Sequence, residues 1–149
     1  MFKTFFITFI ISILVTITGC NSASKEKEKI KVCPQCHMEL PNSNVNTAFI
    51  VKDGKYIYFD DIGCMVLWSK DNNIHLEDVV AKAFTNDTKK YVDAFKLHYR
   101  IDEKTPMHYG FGAYEKEVKN SINFNEVILR MLRGENMANP KIRKQILGY

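Results

Sequence analysis

Residues 45–68 read VNTAFIVKDGKYIYFDDIGCMVLW. Residues 45–51 have the apolar character of a strand, and Asp53-Gly54 is a strong signal for a two-residue hairpin turn. Residues 56–59 then supply the return strand. Asp60 or Asp61 stands where a helix cap belongs, ahead of a short helix running through Trp68. The periodic apolar set of that helix is Ile62, Met65, Val66 and Trp68, with Cys64 in its first turn.

Outward from this unit, the second half adds more of the same kind of element. Residues 76–84 suggest a strand, and residues 95–101 alternate well. Residues 107–114 read as a strand weakened or bulged at Gly110 and Gly112. Residues 124–132 form an amphipathic helix that ends at Gly134, and 140–147 a last short helix. The expected fold is α+β: two small lobes, about 32–75 and 76–149, each a short antiparallel sheet packed on a helix.

The N-terminal end has a different composition. Residues 1–19 read as an export signal, with Lys3 as its positive region and an apolar run from Phe5 to Ile17 that is short for a membrane span. Ile17-Thr18-Gly19-Cys20 resembles a bacterial lipobox with Cys20 as the lipidated residue. Residues 20–31 then form a tether of small and alternating charged residues, too polar to order itself. The expected location is the periplasm, on a membrane through the lipid anchor. The net charge of the whole chain is +4, with basic residues scattered rather than striped among aromatics, so nucleic acid is not an expected partner.

Chemistry concentrates in Cys33-Pro34-Gln35-Cys36-His37-Met38, with Cys64-Met65 and Pro106-Met107-His108 as further donors. Setting Cys20 aside leaves three cysteines, an odd number, so at least one thiol escapes an internal disulfide in an oxidising compartment. Cys33-x-x-Cys36 fits four chemistries. A zinc knuckle would take Cys33, Cys36 and Cys64, with His37 or His75 as the fourth ligand. Covalent haem would use Cys33-x-x-Cys36-His37, with Met107 as a sixth ligand, although the flanking sequence is not helical. A thiol–disulfide oxidoreductase would need a positive neighbour, for which His37 is the candidate, or a helix N-terminus, and Pro41 stops any helix within a turn. A Cu(I) site alone draws on the thioethers of Met38 and Met107 as well as the thiolates. Met65, Met131 and Met137 are expected in the core, His75 at the surface and His98 on the polar face of a strand. No catalytic constellation stands out, and an enzyme is not expected.

Several motifs in order carry a resemblance. Cys33-x-x-Cys36-x-Met38 is followed by Tyr58-Phe59-Asp60-Asp61-Ile62-Gly63-Cys64, Lys82-Ala83-Phe84-Thr85-Asn86-Asp87, Tyr91-Val92-Asp93-Ala94 and Thr105-Pro106-Met107-His108-Tyr109-Gly110-Phe111-Gly112-Ala113-Tyr114. Over roughly 32–134 the chain resembles the accessory lipoproteins of nitrous-oxide reductase, the NosL family. The resemblance implies a two-lobed α+β fold and a periplasmic Cu(I) chaperone. Copper would pass towards nitrous-oxide reductase or its membrane maturation transporter. Cys36 and Met38 match the family's Cys-Gly-Met knuckle, Met107 matches its Pro-Met-Gly segment, and Cys33 and Cys64 fall where many members have Cys. His37 and His108 each stand where the family usually has Gly, which adds imidazole to the implied copper donors.

Overall fold

The structure is a computed structural model and describes residues 31–149. The signal, the lipobox with Cys20 and all of the tether before Lys31 lie outside the described residues. Strand β1 (Ala48–Lys52) turns through Asp53 (φ 50°) and Gly54 (φ 72°) into β2 (Lys55–Phe59). Two successive residues at positive φ make this the primed turn that matches the twist of a hairpin. The register pairs Ala48 with Phe59 and Lys52 with Lys55.

Helix α1 (Ile62–Asp71) starts directly after the hairpin. Asp61 is the cap: its Oδ1 accepts the Gly63 N–H at 2.8 Å, satisfying one of the orphan donors of the first turn. Strand β3 (Val80–Phe84) pairs antiparallel with β1, and β4 (Tyr91–Asp93) with β3, giving the order β2-β1-β3-β4. A second sheet joins β5 (His98–Arg100) to β6 (Gly112–Tyr114). Helix α2 (Phe124–Arg133) is capped by Asn123, which accepts the Glu126 N–H, and stops at Gly134 in the left-handed conformation. Helix α3 (Pro140–Leu147) closes the chain.

The core lies on one face of the larger sheet. Ala48, Ile50, Phe59, Ala81 and Ala83 pack with Ile62, Met65 and Val66 of α1 and with Phe124, Val127 and Met131 of α2. Met65 and Met131 are therefore core residues, as expected. Gly63 lets α1 approach its neighbours closely: a Cβ there would stand 2.4 Å from Tyr109 Cδ2 and 2.8 Å from Met131 Cε. The opposite sheet face gathers Phe49, Tyr56, Tyr58 and Tyr91 into contacting rings.

The α+β class and its two antiparallel sheets stand as expected, but several segments differ. The strand expected over 76–84 begins only at Val80, because Leu76–Asp78 is a 3-10 turn closed by the Asp78 N–H on the His75 carbonyl. The one expected over 95–101 shrinks to β5, because Asp93 caps a 3-10 turn over Ala94–Lys96 through the Phe95 N–H. The one expected over 107–114 shrinks to β6. Ahead of it, the His108 N–H closes on the Thr105 carbonyl, and Gly110 (φ 90°) turns the chain again. β4 falls within the Tyr91-Val92-Asp93-Ala94 motif, where the sequence predicts no strand. The division near residue 75 does not coincide with a sheet boundary, since β3 and β4 extend the first sheet through β1.

Candidate metal centre

The segment before β1 folds into a tight knuckle. The Cys33 N–H donates to the Met38 carbonyl at 2.8 Å, the His37 N–H to the Cys33 carbonyl at 2.9 Å and the Leu40 N–H to the Lys31 carbonyl at 2.9 Å. His37 sits at φ 61°, the left-handed region that favours glycine. The same holds for His108 at φ 57°. Both histidines thus occupy backbone positions that glycine adopts most readily.

The knuckle delivers Cys33 and Cys36, and the first turn of α1 delivers Cys64. The three Sγ atoms and one carboxylate oxygen of Asp60 all lie within 4.8 Å of one another. Cys33, Cys64 and Asp60 are fully buried, and Cys36 is half-buried. The Cys36 thiol donates to both Asp60 oxygens at 3.2 Å. The three cysteines are free of disulfides.

The thiols are electrostatically unequal. Cys33 is lowered to about 6, first because the Cys64 thiol donates to it and further by the Cys36 backbone N–H. Cys64 is pushed up strongly by that same bond and by burial. Cys36 rises to about 12, chiefly through burial, with the Asp60 carboxylate adding to the rise against an opposing Met38 backbone N–H. Thiolate is the metal-binding form. Of the three thiols Cys33 therefore gives up its proton most readily, and a cation bound by all three must displace the protons of the other two.

Asp61 has a different task from Asp60. Besides capping α1, its Oδ2 accepts the Met107 N–H at 3.2 Å, which ties the 105–108 turn to the helix end that carries Cys64. Burial raises Asp61 to about 6, against bonds from Thr105, Gly63 and Met107 that favour its anion. The Tyr109 ring lies over Gly63, and burial with the nearby Cys64 and Asp61 raises its hydroxyl to about 12.

Of the donors singled out from sequence, the cluster unites Cys33, Cys36 and Cys64. Neither His37 nor His108 belongs to it, and both are exposed. Met38 is 46% exposed beside Cys36, and Met107 is half-buried on the turn that Asp61 holds. Asp60 was read from sequence only as a possible cap. Its signal was there in the doubled Asp60-Asp61 between a strand and a Cys-bearing helix, since one cap needs only one carboxylate. Comparison with family models, curated proteins and solved structures returns no match.

Proposed function

We propose that this chain is a Cu(I) carrier, tethered to a bacterial membrane in the periplasm through Cys20 and passing copper towards nitrous-oxide reductase or its maturation transporter. The observation that carries the copper reading is the convergence of Cys33, Cys36 and Cys64, from two separate segments, on one point. Three thiolates suit a soft monovalent ion. Two of the sulfurs are shut in the core, while Cys36 reaches the surface next to the exposed Met38. A carrier needs such an asymmetry: buried ligands retain the ion, and an accessible one opens a path for ligand exchange. The direction of delivery is supported by the ordered motifs between 32 and 134 and by the lipobox, all of them sequence features.

The test is a competition titration with a chromophoric Cu(I) chelator under reducing conditions. One Cu(I) per chain is expected, displacing any zinc that accompanies the purified protein. Stoichiometric zinc that survives purification and resists Cu(I) would overturn the reading. Purification of the lipidated chain from membranes, with the reductase or its transporter cross-linked to it, tests the partner.

A further inference from the structure

Asp60 is a costly residue for its position. It is fully buried between the end of β2 and the cap of α1. Among the described residues its carboxylate bonds to the Cys36 thiol and pairs with no cationic side chain. A buried carboxylate without a counter-charge is strongly disfavoured unless an ion or a full set of donors satisfies it. Helix capping does not explain it, because Asp61 supplies the cap.

We infer that Asp60 is a conditional fourth ligand, one that closes the three-thiol cluster around a divalent ion of the zinc class and stands off from Cu(I). The inference rests on reading the cluster as a metal site. Geometry supports closure. A tetrahedral zinc with sulfur at ~2.3 Å and oxygen at ~2.0–2.2 Å sets its ligand atoms roughly 3.5–3.8 Å apart. Here the four atoms lie within 4.8 Å of one another, and Asp60 stands 3.2 Å from Cys36 Sγ, so the wider pairs need to close by at most about 1 Å and the Asp60–Cys36 pair to open slightly to reach the tetrahedron.

Charge and softness decide between the ions. Three thiolates and a carboxylate carry four negative charges. A divalent ion offsets two of them and Cu(I) only one, and a hard oxygen adds little to a soft ion already held by sulfur. Coordination by Asp60 therefore favours the divalent ion selectively. The protein would carry Zn2+ in a closed four-ligand site and exchange it for Cu(I) with release of the carboxylate. Asp60 thus sets the metal preference of the site.

The test uses the full chain in detergent under anaerobic, reducing conditions, with Zn2+, Co2+ and Cu(I) as separate probes. Asp60→Asn keeps the shape and removes the charge, and Asp60→Glu restores a carboxylate. We expect Asp60→Asn to weaken Zn2+ and Co2+ at least about tenfold while Cu(I) changes by less than about threefold, with Asp60→Glu regaining part of the divalent affinity. Equal losses for Zn2+ and Cu(I), or no loss for Zn2+, would overturn the inference. Should Asp60→Asn not fold, X-ray absorption of the zinc-loaded natural chain decides: three sulfurs with one oxygen are expected, and a shell of sulfur alone overturns it. A chain that holds Zn2+ through Asp60 but no Cu(I) would end the copper-carrier reading, and with it the exchange for Cu(I), while the role of Asp60 towards the divalent ion stands. Tight Cu(I) binding with a zinc affinity indifferent to Asp60 would end this inference alone.

Discussion

Three cysteines meet at one point, yet they do not share one role, because burial separates them. Cys64→Ser places a hydroxyl in a core position, and its shorter bond to carbon draws the donor back from the Cys33 sulfur. It should lose metal affinity and about 1–3 kcal/mol of stability, a common cost for a buried polar group lacking its hydrogen bond. Cys36→Ser, at a half-exposed position, should lose Cu(I) affinity at least about tenfold, or ~1.4 kcal/mol, with little change in melting temperature. Chelator competition and thermal unfolding on both variants separate the two cases, and equal melting losses would show that burial does not divide them. Met38→Ala and Met107→Ala test whether the thioethers add to the thiolates: each should weaken Cu(I) while circular dichroism is unchanged. The thiols were legible in the sequence because Cys-x-x-Cys fixes its own geometry in a tight turn. Asp60 was legible only as a surplus acid, because an acid before a helix reads as a cap, and only the structure reveals which of the two adjacent acids is free of that task.

Asp61 yields a pH prediction at the same scale. Its folded value of about 6 lies above its ordinary 3.8, so the fold favours the protonated carboxyl. Its contribution is then fully present below about pH 4 and is lost as pH rises through about 6, a span worth up to ~3 kcal/mol. The metal-free chain should lose stability over that window relative to Asp61→Asn, whose side chain does not titrate. Urea unfolding of both proteins from pH 4 to 7 measures the difference, and parallel curves would mean the carboxyl is solvated in the native state.

Among the elements, the hairpin and the helices were legible and the short strands were not. Asp53-Gly54 dictates a primed turn by local sterics, and Asn123 with Gly134 brackets α2 by capping chemistry. The segments at 76–84 and 95–101 read as longer strands because the 3-10 turn before each strand also sends an apolar residue inward: Leu76 lies in the core before β3, and Ala94, Leu97 and Tyr99 lie there around β5. Periodicity reports burial, not the hydrogen bonds that distinguish a turn from a strand. Three-residue strands such as β4, β5 and β6 are specified by distant partners, which no local window contains. Helix α1 shows the reverse, a local residue answering a distant need. Gly63 is tolerated in a helix because Tyr109 and Met131 occupy the space of its missing side chain. Gly63→Ala gains helix propensity but forces the Tyr109 ring to move, and overpacking of this kind costs about 1–3 kcal/mol. A lowered melting temperature with weakened metal binding is expected, since the ring sits on the turn of α1 that bears Cys64. A stabilised variant would show that the 105–111 segment yields freely.

At the scale of the whole molecule, the cluster sits where the two ends of the first unit close on each other. The knuckle precedes the hairpin and Cys64 follows it, so folding of β1, β2 and α1 is what assembles the site. This placement argues against the one reading of Cys33-x-x-Cys36-His37 that its letters most invite. Covalent haem needs both cysteine sulfurs open to the porphyrin edge and the following imidazole turned onto the iron. Here Cys33 has no exposed surface and its sulfur is engaged by Cys64, while His37 projects from a left-handed turn at the surface. A haem could enter only by pulling the knuckle away from α1, at the expense of the core that Cys33 and Cys64 belong to. Expression in a host with haem-attachment machinery should therefore give a chain without a haem mass increment and without a Soret band. Intact mass and a visible spectrum check this directly. If haem were found attached, the knuckle would have to open before β1, β2 and α1 dock, and the three-thiol cluster would be a state that the folding chain bypasses.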